Sequence, residues 1–410
     1  MARLAAACLV VLHATACSAA LAHAPRVALS LSARPRTARA ALSAAASGPT
    51  RRALIVGAPF VPAIISAWPR AARGADAPMA TGPARSILIT GANSGIGFEA
   101  ARKLVSEGHS VTLACRTQAR ADAAAAIVNA EAAASGSASA GSARGLECDL
   151  ASLASVRRCA AAVLASKLPI DVLVLNAAVA PGTQQTAPRR TSDGFEETIG
   201  VNHLGHFLLT ALLLPAIAPQ PARPPPRIVV TASEVHNPEE PGGQVGSKAT
   251  LGDLAGLRAA LAGGGKFEMV DGGAFDADKA YKDSKLCNML FMAELDRRLQ
   301  RTGRGVSVNA FSPGLITRTG LFRNQRPLFV AAFDFVANNI ARFAETPEYG
   351  GGCIDFMATS AELESQHGVF YSDYPPGKHT LVRRVPSAEA RDEAKAAELW
   401  RLSERLVGLA

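Results

Sequence analysis

The sequence predicts an α/β fold, a doubly wound parallel sheet with helices on both faces. From about Ser86 onward, short β-branched segments alternate with longer helical segments. The predicted strands are apolar throughout rather than alternately polar, which is typical of parallel strands buried on both faces. Residues 83–410 contain neither an internal repeat nor a recognisable interdomain linker, so we predict one domain there.

The predicted elements follow one another in a regular order. Strands are predicted at 86–90, 109–115, 145–148, 171–175, 227–231 and 306–311. Helices are predicted at 97–107, 116–134, 197–214 and 387–409, and 135–144 is predicted to be a Ser/Gly/Ala-rich loop. In the last helix, Ser387 is the expected N-cap. Leu399, Trp400, Leu406 and Val407 form an apolar stripe there, which either docks on the body or faces a membrane or a partner.

The positive charge of the chain is concentrated at its N-terminus. Residues 1–80 contain nine Arg, no Lys, one Asp and no Glu, and so carry +8 of the net charge of +9. The remaining residues are close to neutral. They therefore show no basic face of the kind that binds nucleic acid.

Residues 1–82 are predicted to be a targeting presequence, because they are rich in Ala, Ser and Arg and poor in acids. Arg3 and the apolar run 4–11 are signal-like, and a transit-like stretch follows. Arg51-Arg52, a second apolar run and Gly74-Ala-Asp-Ala77 suggest a twin-arginine segment at 51–77. This predicts a plastid (chloroplast) address, with thylakoid delivery left open. The alternative is one long transit peptide in which the arginine pair is accidental.

The cysteines indicate neither a metal site nor a disulfide framework. The chain has seven, of which Cys8 and Cys17 lie in the presequence. The other five are scattered, with no CxxC pair and no Cys/His cluster, so no metal is expected. Scattered thiols are typical of a reducing compartment.

The segment Thr90-Gly-Ala-Asn-Ser-Gly-Ile-Gly97 follows a predicted strand and opens a predicted helix. In this setting Gly91 permits a tight turn, while Gly95 and Gly97 allow close approach to a phosphate and close helix–strand packing. The segment therefore predicts a Rossmann-like dinucleotide site. The loop residues placed in this site are Gly91, Asn93, Ser94, Gly95, Ile96 and Gly97.

The end of the second strand distinguishes the two nicotinamide cofactors. An acidic residue there would bind a ribose hydroxyl and favour NAD, whereas this chain has Arg116, followed by Arg120. Two guanidinium groups suit a ribose phosphate, so NADPH is predicted. The alternative is that both arginines are solvated residues of a helix start. Asn176-Ala-Ala178 leaves another strand end with small residues, against which a flat adenosine could lie.

Tyr281 and Lys285 are four positions apart, and thus on one face if their segment is helical. A neighbouring ammonium is expected to lower the tyrosine pKa from about 10 toward working pH. Lys285 could do this while binding the nicotinamide ribose. Ser233, after a predicted strand, would bond the reacting group or orient Tyr281. Asn202, in an apolar helix, is either structural or holds a water in a proton relay.

Together these residues resemble the short-chain dehydrogenase/reductase superfamily. The resemblance extends from about residue 86 to the C-terminus. It includes three further motifs, Asp149-Leu150, Asn176-Ala177-Ala178 and Pro313-Gly314. It implies that Asp149, Leu150, Pro313, Gly314 and Ile316 also contact the cofactor. It further implies that Tyr281, Lys285, Ser233 and Asn202 form the catalytic set.

The interval of 48 positions between Ser233 and Tyr281 is long for that superfamily. The insert at 236–278, the run from Lys279 to Met289, Thr319-Gly-Leu-Phe-Arg323 and the tail closely resemble the light-dependent NADPH:protochlorophyllide oxidoreductase family. This implies light-driven reduction of protochlorophyllide, a tetrapyrrole, in chlorophyll biosynthesis. Hydride would come from NADPH and a proton from Tyr281.

One position departs from that family. The family usually carries a cysteine after the Pro-Gly of the cofactor loop, and this chain has Leu315. Its other noted cysteine, Cys287, is present but lies about 120° from the Tyr281 face of an ideal helix, where a packing role is at least as plausible.

The departure at Leu315 keeps two alternatives open, a dark NADPH-dependent reductase of a retinoid-, steroid- or lipid-like carbonyl and a catalytically weak pigment-binding paralogue. Homo-oligomerisation and peripheral thylakoid contact also stay open.

Overall fold

The computed structural model describes residues 72–73, 83–137, 140–221, 223–263, 265–325, 327–340 and 343–410. This part of the chain belongs to a compact unit that runs from Ala71 to Ala410. The predicted presequence at 1–82 and its twin-arginine segment at 51–77 lie outside the described residues, apart from 72–73.

One sheet organises the fold. Its strands are β1 (Ala72–Arg73), β2 (Ser86–Thr90), β3 (Ser110–Cys115), β4 (Ser142–Glu147), β5 (Val172–Leu175), β6 (Arg227–Thr231), β7 (Ser307–Ser312), β8 (Phe370–Asp373) and β9 (Thr380–Arg384). Their order is β1-β9-β8-β7-β6-β5-β2-β3-β4. All neighbours from β4 to β8 pair in parallel, whereas β9 is antiparallel to both β8 and β1. The predicted parallel sheet is confirmed.

Helices connect the strands and cover both faces of the sheet. They are α1 (Gly95–Ser106), α2 (Gln118–Ala134), α3 (Leu153–Ala165), α4 (Glu197–Ala216), α5 (Pro241–Gln244), α6 (Ala255–Ala262), α7 (Ala277–Arg301), α8 (Pro327–Phe335), α9 (Pro347–Thr359) and α10 (Glu393–Leu406). One apolar cluster joins α3, α4, α7 and α10 to one face of the sheet, and a second joins α1, α2 and α9 to the other. The strands between them are apolar because both of their faces are covered.

Several predicted boundaries were wrong at the sheet edge. The predicted strand 145–148 is β4, Ser142–Glu147, and its first residues had been predicted as loop. β4 is an edge strand with partly exposed side chains, so it lacks the apolar run that marks the central strands. Helix α2 begins at Gln118 rather than at Arg116 because Thr117 accepts a hydrogen bond from the Arg120 backbone N–H as its N-cap. The other elements that were not predicted are the strands β1, β8 and β9 and the helices α3, α5, α6, α8 and α9.

The C-terminal helix is shorter than the predicted 387–409. Asp392, not Ser387, is its N-cap and accepts from the Lys395 backbone N–H at 2.9 Å. Leu399, Trp400 and Val407 are buried, and the Trp400 ring packs on Phe207 with centroids 4.8 Å apart. The apolar stripe therefore docks on the body of the protein.

One helix in the described part of the chain, Glu197–Ala216, is long and apolar enough to cross a membrane by length and composition. Of its most apolar stretch, 72% is buried inside the protein, as in the core helix of a globular domain.

Candidate active site

The glycine loop lies at the point where the strand order reverses, between β2 and β5. From β2 the chain proceeds outward to β3 and β4, whereas from β5 it proceeds the other way. A crevice opens at such a switch point beyond the carboxyl ends of the strands. Gly91 and Asn176 directly follow these two central strands, so the two predicted motifs are brought together here.

The glycine loop packs so closely on the residues after β5 that a larger side chain at Gly91 or Gly97 would clash. Gly91 has φ +69°, and a Cβ on it would lie 2.8 Å from Ala177 Cα. A Cβ on Gly97 would lie 2.6 Å from Asn176 Nδ2. Two of the predicted glycine roles, tight turn and close packing, thus have a definite steric cause.

A network of hydrogen bonds centred on Thr90 fixes the loop. Burial lowers the pKa of His206 to about 4, so its imidazole is neutral. His206 Nδ1 lies 3.0 Å from the Asn202 carbonyl oxygen and must donate to it, which leaves Nε2 to accept from the Thr90 hydroxyl at 2.9 Å. Thr90 Oγ1 in turn accepts from the backbone N–H groups of Asn176 and Ala177. The glycine loop, the end of β5 and helix α4 are thereby locked together.

We predict that Gly91→Ala destabilises the protein by roughly 3 kcal/mol or more and impairs dinucleotide binding. A left-handed conformation costs a residue with a Cβ about 1–2 kcal/mol, and the clash with Ala177 adds a similar amount. Gly136→Ala is the matched control, because Gly136 has φ +67° but nothing within 4 Å of the added Cβ. Urea unfolding should show a clearly smaller loss for the control, and equal losses would contradict the steric argument.

Ser233, Tyr281 and Lys285 converge at the carboxyl end of β6. The Ser233 hydroxyl approaches the Tyr281 phenol closely enough to lower its pKa. Lys285 Nζ donates to the Thr231 carbonyl oxygen at 3.0 Å and lies 5.6 Å from the centroid of the Tyr281 ring. Tyr281 and Lys285 belong to the same helix, α7, as their spacing predicts. The three predicted side chains form one constellation.

The expected low pKa of Tyr281 was wrong. Burial raises the pKa of Tyr281 above its usual value, and the nearby Ser233 hydroxyl only partly offsets this. Lys285 is 2% exposed, and burial lowers its own pKa to about 8. The phenol is therefore protonated at neutral pH, which is the state that a proton donor requires.

Asn202 occupies a single π-helical turn, Gly200–Gly205, within α4. Its Nδ2 donates to the Val179 carbonyl oxygen and to Ser284 Oγ, both at 2.9 Å, and its Oδ1 accepts from the Val179 N–H. Ser284 Oγ donates to the Tyr281 carbonyl oxygen at 2.6 Å. Both side-chain donors of Asn202 are thus engaged by protein, and the residue ties α4 to the turn of α7 that carries Tyr281. Its predicted role in a water relay stays a prediction.

Lys282 and Asp283, which lie between Tyr281 and Lys285, bind the insert at 236–278 to helix α7. Lys282 Nζ donates to the carbonyl oxygens of Val245 and Ser247 and pairs with Asp278 at 2.8 Å. Asp283, which is fully buried, accepts from the Thr250 N–H at 3.0 Å and pairs with Lys279. The insert is therefore fixed to the first turns of α7. Sequence reasoning had not assigned a function to Lys282 or Asp283.

The two predicted phosphate-binding arginines are both exposed and lie four positions apart in the chain. Arg116 directly follows β3, and Arg120 lies in the first turn of α2. Neither makes an ion pair with a carboxylate in the described residues. Both guanidinium groups are therefore available to an anion.

The remaining predicted cofactor residues line the same edge of the sheet. Leu150 is buried against α4, where a Cβ on Gly205 would lie 2.6 Å from the Leu150 carbonyl oxygen. Asp149 lies one position earlier and bonds the Ala151 N–H at 3.1 Å. Ala178 follows Asn176 and Ala177, whose N–H groups both donate to Thr90, and is partly exposed.

After β7, Pro313 is buried and Gly314 has φ +77°. A Cβ on Gly314 would lie 2.8 Å from Asp373 Oδ2. Ile316 is buried, and its Cδ1 lies 2.6 Å from the position of a Cβ on Gly350, which brings α9 against this loop.

Leu315 and Cys287 differ in their surroundings. The carbonyl oxygen of Leu315 accepts from the Glu345 N–H at 2.7 Å, and its side chain is partly exposed. Cys287 is fully buried in the apolar core, and burial raises the pKa of its thiol well above the usual value. A protonated core thiol packs rather than reacts, so the packing interpretation of Cys287 is favoured.

Sequence reasoning missed Thr90, His206, Ser284 and Ser312 as parts of the site. Ser312 Oγ accepts from the Glu234 N–H at 3.1 Å and so holds the turn that carries Ser233. Polar residues in otherwise apolar segments, such as His206 in Val-Asn-His-Leu-Gly-His, were the signal that could have revealed them.

The fold and this constellation define a Rossmann-type oxidoreductase that uses a nicotinamide cofactor. The family model described as short chain dehydrogenase matches residues 85–254. A solved structure of an uncharacterised Mycobacterium paratuberculosis protein is 29% identical, with a TM-score of 0.55 over 79% of this chain and 93% of that one.

Curated relatives are more similar. Protochlorophyllide reductase B, chloroplastic, of Hordeum vulgare is 40% identical over 320 residues, 78% of each chain. Protochlorophyllide reductase of Avena sativa is 40% identical over 324 residues, 78% of this chain and 98% of the relative. The chain belongs to the protochlorophyllide reductase family of short-chain dehydrogenases/reductases.

Proposed function

We propose that this protein reduces protochlorophyllide to chlorophyllide with NADPH in a light-driven reaction, in the chloroplast. The Ser233–Tyr281–Lys285 constellation at the switch-point crevice carries the proposal. The Hordeum vulgare and Avena sativa relatives are both named protochlorophyllide reductase, which supports the tetrapyrrole substrate. The Hordeum vulgare protein is named chloroplastic, which supports the location. The alanine- and arginine-rich residues 1–82 agree with such an address.

The residues at the crevice fit a dinucleotide. Ser94 is the N-cap of α1 but its side chain makes no capping hydrogen bond, which leaves the first N–H groups of this helix for a phosphate. The glycines at 91 and 97 keep the loop packed closely on the end of β5. Arg116 and Arg120 would hold a ribose phosphate. When bound, NADPH supplies the hydride.

The chain itself supplies the proton and its positioning. Tyr281 stays protonated because of its burial, and Ser233, whose hydroxyl approaches the phenol, would orient it. Lys285, whose Nζ is fixed by the Thr231 carbonyl oxygen, places a positive charge beside the ring and can stabilise the phenolate that proton donation leaves. The insert and Asn202 hold α7 in the position that these contacts need.

The test is to mix the purified protein with NADPH and protochlorophyllide in darkness, then illuminate it and record absorption. Conversion of the pigment band only after illumination is the expected result. A pigment that binds and stays unchanged in light would favour a pigment-binding paralogue. No pigment binding, with turnover of a carbonyl substrate in darkness, would favour a dark reductase.

For the cofactor, we predict that Arg116→Ala weakens NADPH binding by about 10- to 100-fold, because a charge-assisted bond to the ribose phosphate is lost. NADH, which lacks that phosphate, should bind within about twofold of its original affinity. Fluorescence titration with both nucleotides measures this. Arg102→Ala is the control, since Arg102 is an exposed arginine of α1 paired with Glu99 and Glu131. Equal losses for NADPH and NADH would refute the phosphate contact.

A further inference from the structure

Residues 319–325, here called the strap, cross the open side of the glycine loop. Thr319 Cβ lies 3.3 Å from the position of a Cβ on Gly95. A Cβ on Gly320 would lie 3.9 Å from Ser94 Oγ. One end of the strap therefore rests on the N-terminus of α1, where a phosphate would bind.

The other end of the strap is fastened to the loop that follows β5. Asn324 Nδ2 donates to the Ala180 carbonyl oxygen at 2.8 Å, and Gln325 Nε2 donates to the Pro181 carbonyl oxygen at 3.3 Å. Thr183 Oγ1 donates to Gln325 Oε1 at 2.9 Å. The strap thus spans the crevice from the α1 side to the β5 side by a few polar contacts.

Arg323, near the middle of the strap, turns back toward the glycine loop. Its Nη1 donates to the Gly320 carbonyl oxygen at 3.0 Å, and the same atom lies 3.4 Å from the position of a Cβ on Gly320. The guanidinium therefore lies above the part of the strap that covers Ser94.

Arg116 and Arg323 approach the glycine loop from its two sides. The Gly91 N–H donates to the Ala114 carbonyl oxygen at 2.8 Å, two positions before Arg116, while Arg323 lies over the part of the strap next to Ser94. Partial burial lowers the pKa of Arg323, and the positive charges of Arg116, Arg189 and Arg120 lower it further, against the opposing effect of Glu197. In the part of the chain that the structure describes, Arg116, Arg120 and Arg323 make no ion pair with a carboxylate. Like charges held near one another are unfavourable, and an anion among them would relieve that cost.

We propose that Arg323 is a third guanidinium for the ribose phosphate of the cofactor, and that phosphate binding holds the strap closed over the crevice. The proposal rests on the proposed preference for NADPH. Because Arg323 is carried by the strap, whereas Arg116 and Arg120 lie on the sheet side, the phosphate bridges the two sides of the crevice. Cofactor selection and closure of the site then depend on the same anion.

The probes are adenosine 2′,5′-bisphosphate and 5′-AMP, which differ only in the 2′-phosphate, titrated into the purified chain by calorimetry. Arg323→Gln should weaken the bisphosphate by about 10-fold or more, because a charge-assisted bond is lost. The affinity for 5′-AMP should not change. Arg323→Lys, which keeps the charge without the planar fork, should give an intermediate loss.

Arg318→Gln is the matched control, because Arg318 immediately precedes the strap. Arg318 is exposed and paired with Asp334 at 3.1 Å, so its loss removes one positive charge without touching the three arginines assigned to the phosphate. This variant should bind both probes like the original chain.

Hydrogen exchange gives a readout that does not depend on activity. The bisphosphate should slow amide exchange across 319–325 in the original chain and in Arg318→Gln, but not in Arg323→Gln. 5′-AMP should give no such protection in any of them.

The outcomes separate the two proposals. If the original chain does not prefer the bisphosphate over 5′-AMP, the NADPH preference fails and this inference fails with it. If the original chain discriminates, Arg116→Ala loses the discrimination and Arg323→Gln keeps it, only the assignment of Arg323 is overturned. Equal losses of both probes in Arg323→Gln would likewise overturn it.

Discussion

Replacing Tyr281 by Phe should lower turnover by two to four orders of magnitude, the usual contribution of a positioned general acid. The affinity for NADPH should stay within about twofold, because the ring and its packing are retained and only the hydroxyl near Ser233 is lost. Product formation after illumination, and nucleotide titration of the same preparation, measure the two quantities.

Tyr371→Phe is the control for loss of a phenol hydroxyl. Tyr371 lies on β8 with its ring against Phe356, 6.0 Å between centroids, and should keep full turnover when changed. Because burial keeps the Tyr281 phenol protonated at neutral pH, the deficit of Tyr281→Phe should be equally large at pH 6.5 and pH 7.5. Unchanged turnover in Tyr281→Phe would remove this residue as the proton donor.

Replacing Lys285 by Met should abolish most turnover and yet stabilise the fold at pH 7. Lys285 is 2% exposed, and burial lowers its pKa to about 8 from the usual 10.5. A shift of this size corresponds to roughly 3 kcal/mol of unfavourable free energy for the buried ammonium. Loss of the hydrogen bond to the Thr231 carbonyl oxygen costs about 1 kcal/mol, which offsets part of that gain. A net gain of roughly 1–2 kcal/mol in the free energy of unfolding is expected.

The pH dependence of this gain has a definite sign. Below pH 8 the ammonium is charged in both the folded and the unfolded state, so its full cost is present and the gain from Lys285→Met is largest. Between pH 8 and pH 10.5 the folded state loses the proton while the unfolded state keeps it. The stability of the original chain therefore rises relative to the variant in this interval. Urea unfolding of both proteins at pH 7 and pH 9.5 measures the difference.

Lys282→Met is the matched control on the same helix. Lys282 is also buried, but its ammonium pairs with Asp278 and donates to two carbonyl oxygens of the insert. Its removal should destabilise the protein by about 1–3 kcal/mol, because those oxygens lose their donor. If Lys285→Met were also destabilising at pH 7, Lys285 would be a structural residue rather than one held at a cost for function.

Much of the site could be predicted because its signals are local. The spacing of Tyr281 and Lys285 requires one helix face, and the structure places both in α7. The glycine loop could be recognised because it lies between an apolar strand and a helix, and Gly91 does have the positive φ that a tight turn needs. Such features depend on neighbours within a few positions, so the linear order contains them.

Other parts could not be predicted because they depend on burial and on distant partners. The pKa of Tyr281 was predicted to fall and instead rises, since the number of groups that cover the phenol cannot be read from spacing. Strand β4 was partly predicted as loop, because an edge strand need not be apolar. The Ser387 hydroxyl accepts from the Ala390 N–H in a short turn before the last helix, and Asp392 caps that helix instead.

By itself, the sequence determined the fold class, the glycine loop and the placing of Tyr281 and Lys285 on one helix, because each follows from residue type and short spacing. Only the tertiary structure decided how these parts work together. It joined Thr90, His206 and Asn202 across 116 positions of chain, and it laid the strap that carries Arg323 against Gly95 of the glycine loop. These are long-range contacts whose strength is set by desolvation and packing, which arise only once the chain has folded.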